Sequence, residues 1–279
     1  MERKAFGKGG PLVPVIGQGT WKMEGDDRAS AVKALREGIE LGMTHIDTAE
    51  LYGSGRVEAL LAEVIAEARS SLFLVSKVIP RNATREGTIK ACNKSLKALR
   101  TDYLDCYLLH WPGDHPLEDT LAAFEELRAS GKIRSYGVSN FDERELAEAV
   151  RIAGPGNVAC NQVLYNLGQR DIEHAVLPYC EAQGIAVVGY TPLERTDFPS
   201  GNAVHPLATI ARKYGKSPRQ IALAFLTRKP ALFTIPKSSN PAHTRENAGA
   251  SGIELDADDL AAIEKSFPLG RRRSGVPMA

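Results

Sequence analysis

The chain has 279 residues and a mass of 30.2 kDa, room for one large barrel or for two ordinary domains. Its hydrophobic content of 43% and charged content of 25% are those of a soluble globular protein. Lys+Arg 35 against Asp+Glu 34 leaves no basic footprint for nucleic acid. No apolar run approaches the roughly 20 residues a spanning helix needs. Met1-Glu2-Arg3-Lys4 has no apolar segment behind it, so no signal peptide is expected. Cys92, Cys106, Cys160 and Cys180 are scattered without metal-type or redox-type spacing, two of them in apolar runs. The expectation is a reduced, cytoplasmic protein without a metal site, a membrane span or a nucleic-acid partner.

Taken in order, the chain alternates. Ala5 to Val15 reads as a hairpin turning at Lys8-Gly9-Gly10-Pro11. Val15-Ile16 leads into Gly17-Gln18-Gly19-Thr20-Trp21, a strand end opening into a glycine-bearing loop. Arg28 to Leu41 has apolar residues at helical spacing and stops at Gly42. Thr44 to Asp47 is a strand, Val57 to Ala68 a helix, Leu72 to Lys77 a buried strand, Thr84 to Leu99 a helix, and Tyr103 to His110 a strand. Helix Leu117 to Ser130 and strand Ile133 to Asn140 follow, then helix Glu143 to Ile152 and strand Val158 to Gln162. Helix Ile172 to Gln183 precedes strand Ile185 to Tyr190. Helices from about Pro206 to Tyr214 and from Pro218 to Arg228 precede a last strand, Leu232 to Ile235. Pro241 to Ala250 and Asp258 to Ser266 close the chain as helices.

Short strands that are apolar on both faces, each followed by an amphipathic helix, imply a parallel sheet covered by helices. About eight such units in one chain of this length imply a closed (β/α)8 TIM barrel, with the N-terminal β-hairpin and extra C-terminal helices added to it, as a single domain over residues 1–279. A doubly wound open sheet is the alternative. It is weakened because Gly17-Gln18-Gly19 lacks the third glycine of a dinucleotide fingerprint.

In a barrel the strand ends converge on one rim, which would gather Asp47, Lys77, His110, Ser139, Asn140, Gln162, Tyr190 and Lys237. Each has a plain explanation alone: His110 as a core histidine, Lys77 as a charge at a strand terminus, Gln162 as a turn residue. Polar groups interrupting so many apolar strands at one rim are harder to attribute to packing, because unpaired buried charges are costly. A shared functional site is the better account.

The pivotal stretch is Asp47-Thr48-Ala49-Glu50-Leu51-Tyr52-Gly53. With it go Ser76-Lys77, Leu108-Leu109-His110-Trp111-Pro112, Gly131-Lys132-Ile133-Arg134, Gly137-Val138-Ser139-Asn140-Phe141, Asn161-Gln162-Val163 and Ile235-Pro236-Lys237-Ser238. Together these resemble, nearly end to end, the aldo-keto reductases, barrel enzymes that use nicotinamide cofactors without a Rossmann fold. The wording is closer to the bacterial aldehyde and methylglyoxal reductases than to the animal steroid-reducing members.

The resemblance implies NADPH-dependent reduction of aldehydes and small ketones by a monomer. Tyr52 would be the proton donor, Lys77 its tuning partner, Asp47 the salt-bridge partner of Lys77, and His110 the group orienting the carbonyl. A hydride delivered to carbonyl carbon leaves charge on oxygen that must be stabilised and protonated. A lysine cation beside the tyrosine makes its phenolate less costly. Ser139, Asn140 and Gln162 would meet the nicotinamide carboxamide, and Tyr190 would stack on the ring. Gly19, Thr20, Thr191 and Leu193 would flank the cofactor, the last two at its pyrophosphate. Lys237 and Ser238 would grip the 2′-phosphate, and Glu246 and Asn247 the adenine.

His243 stands where many members place a phosphate-binding arginine, which implies a smaller margin of NADPH over NADH. Trp21, Tyr52, His110 and Trp111 would wall the substrate pocket, closed by the loop from Glu194 to Val204 and by the tail after Phe267, which carries Arg271, Arg272 and Arg273. Small aldehydes and α-dicarbonyls such as methylglyoxal are the expected substrates, and Arg195 and the terminal arginines suit polar or anionic ones. Two rivals remain: a barrel lyase or isomerase using Lys77 in a Schiff base, and a non-catalytic cofactor-sensing barrel subunit.

Overall fold

The computed structural model describes residues 1–193, 206–273 and 275–278. A two-stranded antiparallel hairpin comes first, β1 (Arg3–Ala5) with β2 (Leu12–Pro14). Eight parallel strands follow in sequence order: β3 (Gln18–Gly19), β4 (His45–Asp47), β5 (Phe73–Val78), β6 (Leu104–Leu109), β7 (Ile133–Ser139), β8 (Val158–Leu164), β9 (Ala186–Tyr190) and β10 (Leu232–Thr234). The sheet closes on itself. Ile16 bridges Thr234 and Gly19 bridges Lys237, and the Gly17 amide donates to the Thr234 carbonyl at 2.8 Å. At that seam a Cβ on Gly19 would meet the Ile235 carbonyl oxygen at 2.6 Å, so only glycine lets the first and last strands approach.

Among the described residues, eight helices cover or cap the strands through the middle of the chain: α1 (Arg28–Glu40), α2 (Arg56–Ile65), α3 (Arg85–Leu99), α4 (Leu117–Ala129), α5 (Glu143–Ala153), α6 (Val176–Gln183), α7 (Pro206–Tyr214) and α8 (Pro218–Leu226). Beyond the last strand come α9 (Pro241–Ala248) and α10 (Ala257–Ser266). Their starts are chemically marked. Asp27 and Thr84 accept from the backbone amides of Ser30 and Gly87, while Asp142 with Glu145, Ser217 with Gln220 and Asp256 with Asp259 form reciprocal caps. No described helix is long and apolar enough to cross a membrane.

The segment expected as one helix from Ile172 to Gln183 is two pieces, a 3-10 turn at Asp171–His174 and then α6, with Ala175 at φ −145 between them. Pro178 is the reason: its ring clashes with the carbonyl of residue 174, so α6 cannot extend backward through it. The four cysteines are all free and buried, two more than their apolar neighbours suggested.

Two main cores hold most of the buried apolar side chains, and a smaller third cluster gathers Val15, Ile16, Met43, Leu223 and Ala250. One main core lies between strands and helices; the other fills the barrel, from Phe6, Val13 and Phe73 at the bottom through Val75, Cys106, Leu108, Cys160 and Val188 to Ile235. The hairpin contributes the bottom plug. Phe6 packs at ring-centroid distances of 4.6 Å from Phe73, 5.2 Å from Phe233 and 5.7 Å from His45. His45 is wholly buried there, and burial pushes its pKa down to about 3, so the plug closes on a neutral imidazole.

Phe6→Ala should therefore cost about 3–5 kcal/mol of stability, the range for deleting a packed aromatic side chain. Urea denaturation measures it. A cost below about 1 kcal/mol would mean that the barrel floor collapses around the gap.

Candidate active site

Strand side chains alternate with period two, so the inward residues of each strand can be read upward from the barrel core. Phe73 and Val75 point in, and so does Lys77; Cys106 and Leu108 lead to His110, Cys160 to Gln162, and Ala186 and Val188 to Tyr190. The apolar floor thus changes to polar groups one step higher, at the C-terminal ends of the strands. His110, Gln162 and Tyr190 line a cleft of about 590 Å³ together with Gly19, Thr20, Trp21, Asp47, Tyr52, Trp111, Ser139, Asn140, Thr191, Leu193, Lys237 and the tail residue Met278, and Lys77 lies buried behind Asp47 and Tyr52.

Its centre is an ion pair out of reach of water. The Lys77 ammonium donates to Asp47 Oδ1 at 2.6 Å, with side-chain exposures of 0% and 2%. It also donates to the Thr48 carbonyl at 2.8 Å and, more loosely, to the Tyr52 hydroxyl at 3.4 Å. An ammonium has three N–H groups, and all three are used. The other Asp47 oxygen accepts from Gln162 Nε2 at 2.7 Å, which ties β4 to β8 across the barrel. Thr20, the residue after β3, donates to the Asp47 carbonyl at 2.8 Å.

The pair fixes the electrostatics. Burial works against the Lys77 cation, but the Asp47 charge and the Tyr52 hydroxyl outweigh it and hold its pKa above the ordinary value. Burial pushes the Tyr52 hydroxyl up; Lys77 pulls it back, Asp47 opposes Lys77, and the balance lies above the usual phenol value. The sequence expectation that Lys77 eases ionisation holds for its direction, but desolvation is larger. His110 is driven down to about 2 by burial and by Lys77, so its imidazole is neutral. Its Nδ1 is buried with no hydrogen bond among the described residues, and its ring lies edge-on to Tyr52 at 5.9 Å and 4.8 Å from Trp111.

A second polar group lines the neighbouring wall. Ser139 donates to the Gln162 carbonyl at 2.8 Å, Asn140 Nδ2 donates to Ser139 Oγ and to the His110 carbonyl, both at 3.1 Å, and the Tyr190 hydroxyl donates to Asn140 Oδ1 at 2.9 Å. Asn140 and Thr191 hold positive φ of 62° and 53° at these strand ends. For a β-branched residue such as Thr191 that backbone is strained, and it is held in part by Asn166 donating to its carbonyl at 3.1 Å.

The structure gathers Asp47, Tyr52, His110, Ser139, Asn140, Gln162, Tyr190 and the tryptophans at one cleft, with Lys77 bonded to Asp47 and Tyr52 just beneath its wall. At its far corner Lys237, Ser238 and His243 line a smaller depression with Asp26, Ser239 and Asn240. Glu246 and Asn247 are engaged differently: Glu246 accepts from Ser217 at 2.6 Å, tying α9 to α8, and Asn247 is buried. Arg245 pairs with Glu37 on α1, away from that corner. The loop expected to close the pocket, with Arg195, lies outside the described residues. Sequence reading passed over Glu50, which is buried and accepts from the Ile79 amide and Asn82 at 2.9 and 3.0 Å, and Asp26, which pairs with Lys237. The acidic doublet Asp26-Asp27 ahead of α1 was the available signal.

Residues 15–267 match the Aldo/keto reductase family. The chain belongs to that family. It is 43% identical over 272 residues to the methylglyoxal reductase YeaE of Escherichia coli (strain K12), covering 95% of each chain. It is 35% identical to the glyoxal reductase of Bacillus subtilis (strain 168), covering 91% of this chain and 89% of the other. Among solved structures it is similar to an aldo/keto reductase from Klebsiella pneumoniae in complex with NADP and acetate, with a TM-score of 0.92, 38% identity and coverage of 100% of both chains. The aldo/keto reductase barrel expected from the sequence is thus the fold, and the chain is an oxidoreductase.

In this reductase, Asp47→Asn would leave the Lys77 ammonium buried beside a neutral amide, a loss of about 3–5 kcal/mol. The double change Asp47→Asn, Lys77→Met should be more stable than the single one. Equal denaturation midpoints for the two proteins would show that the loss comes from the Gln162 bond or from packing rather than from the charge.

Proposed function

We propose that this chain, as one barrel domain over residues 1–279, reduces small aldehydes and α-dicarbonyls such as methylglyoxal to alcohols with NADPH. The observation that carries the reading is the Tyr52 hydroxyl held against an ammonium that Asp47 keeps charged, beside a neutral His110, in a cleft walled by Trp21 and Trp111.

The cleft suits the cofactor. It offers amide and hydroxyl groups at Ser139, Asn140 and Gln162, an aromatic face at Tyr190 fixed by its hydroxyl, and a cation at the far end in Lys237, which lines both the cleft and the smaller depression. Gly19, Thr20, Thr191 and Leu193 flank the path between those ends. A nicotinamide bound there supplies the hydride. This chain's residues do the rest. His110, neutral and with one N–H to give, orients the carbonyl oxygen. Tyr52 hands its proton to that oxygen as charge develops, and Lys77 stabilises the phenolate left behind until solvent restores the proton.

The Schiff-base alternative fits the geometry poorly, since a lysine that forms an imine must be a free amine. Lys77 is wholly buried, spends all its N–H groups and is held cationic by Asp47. The naming of relatives as methylglyoxal and glyoxal reductases, and the modest cleft, support small substrates. A monomeric, cytoplasmic protein is part of the reading: the catalytic set comes from one chain, and free buried cysteines suit a reducing compartment.

Tyr52→Phe should lower kcat for methylglyoxal with NADPH by about 10²–10⁴, the usual worth of a positioned acid, with the NADPH dissociation constant within about twofold. Full turnover in that variant would remove Tyr52 as donor; wild-type protein that binds NADPH yet turns over no aldehyde would favour a sensing subunit instead. The pH profile is a separate check. Tyr52 donates while protonated, so reduction is active below its raised pKa and is lost as pH rises through it. kcat/KM for reduction should stay level from about pH 6 to about pH 9 and fall only in more alkaline solution. A fall centred near neutrality would contradict the assignment.

A further inference from the structure

The corner at Lys237 holds an arrangement that the reaction itself does not need. The Lys237 ammonium is ion-paired with the Asp26 carboxylate, and Ser239 donates its hydroxyl to the same carboxylate oxygen. The two partners are 211 residues apart and meet only because the barrel seam brings the end of β10 beside the turn that follows β3. Both sides of the contact are pinned. The Asp26 amide donates to the Met23 carbonyl at 3.2 Å and the next residue, Asp27, caps α1. Opposite, Ser30 donates to the Ser239 carbonyl at 2.8 Å and Ser238 to the Asn240 carbonyl at 2.9 Å. Burial would push the Asp26 carboxyl up, but the hydrogen bonds from Lys237 and Ser239 and the lysine charge outweigh it and hold it below the usual carboxylate range.

The carboxylate therefore sits where an anion bound by Lys237 and Ser239 would sit. The depression around it is about 350 Å³ and opens to solvent, and the contact is about one-third exposed on each side, 33% and 32%. Nearby, His243 is exposed and Arg245 is turned to Glu37, so neither supplies a fixed replacement cation. A phosphate monoester brings a charge of about −1.5 to −2 to such a corner and must displace or sit against Asp26. A ribose hydroxyl is neutral and can donate to the carboxylate as it stands.

We propose that Asp26 is a specificity-determining residue: it occupies the anion position on Lys237 and Ser239, so that a 2′-phosphorylated nucleotide must compete with it and an unphosphorylated one need not. The proposal rests on the nicotinamide-cofactor reading above. It makes the preference for NADPH over NADH smaller than Lys237 alone would give, and it places the cause in an opposing carboxylate as well as in the histidine at position 243.

The experiment is equilibrium binding, read by quenching of Trp21 and Trp111 fluorescence, of NADP⁺, NAD⁺ and 2′-AMP to wild type, Asp26→Asn and Asp26→Ser. Both variants should bind NADP⁺ and 2′-AMP more tightly by about fivefold at low salt, with NAD⁺ changed by less than about twofold and the gain shrinking as salt is raised. NAD⁺ affinity and thermal unfolding report that the variants are folded. An unchanged NADP⁺/NAD⁺ ratio, or weaker NADP⁺ binding because Lys237 loses its orientation, overturns the inference and leaves the reductase reading standing. Failure of the wild type to bind either dinucleotide overturns both.

Discussion

The site depends on one constraint: a lysine ammonium and an aspartate carboxylate sealed inside a barrel, where neither can be exposed to recover its hydration. Each such ion costs several kcal/mol to bury, and the cost is offset only while every polar atom has a partner. Here the partners come from strands far apart in sequence. Lys77 stands on β5 and Asp47 on β4, Gln162 reaches over from β8, and Thr20 supports Asp47 from just beyond the end of β3. The closed sheet makes this satisfiable, because it brings the C-terminal ends of β3, β4, β5 and β8 to one rim, within hydrogen-bond reach of one another. The Tyr52 hydroxyl is the remaining acceptor of the lysine, so the position of that hydroxyl is a consequence of completing the pair.

The same constraint accounts for the protonation states around it. A cation that cannot leave and cannot ionise away depresses every neighbouring base. His110 is kept neutral, and an imidazolium there would add a second buried positive charge within reach of Lys77. Tyr52 is pulled toward ionisation by the lysine but kept protonated by burial and by Asp47. The outcome is a tyrosine that remains an acid across neutral pH and whose conjugate base has a counter-ion already in place. In the proposed reaction, the site stabilises the product of proton transfer more than it lowers the resting pKa.

Much of this was legible from residue types alone, for a physical reason. Period-two alternation is short-ranged, so Phe73-x-Val75-x-Lys77 and Ala186-x-Val188-x-Tyr190 announce both their inward faces and the polar group at the top. Once closure is granted, the rim residues must meet. What could not be read were contacts that depend on how closure is made. Gln162 binding Asp47 and Asp26 binding Lys237 each join residues more than a hundred positions apart, and no local pattern distinguishes them from solvated polar side chains. Glu50 looked like one more residue of a loop, but the loop folds back on the end of β5 and turns it into an acceptor for the Ile79 amide. The break before α6 was in principle readable from Pro178, yet the apolar spacing on either side of it spoke for continuity.

The two lysines at strand ends show how environment divides labour within one cleft. Lys77 with Asp47 and Lys237 with Asp26 are the same chemical pair, an ammonium and a carboxylate. The first is dry, so exchanging its partner would strand a charge, and the geometry of the chemistry is fixed. The second is partly solvated and water can take either ion, so its partner is open to replacement by another anion at modest cost. Under the proposed reading, a barrel that buries one pair at its centre and leaves the other at its edge can hold Tyr52 in place while its choice of nucleotide is adjusted by single surface residues. That separation follows from solvent access alone, and the exposed pair lies at the seam where the first and last strands meet.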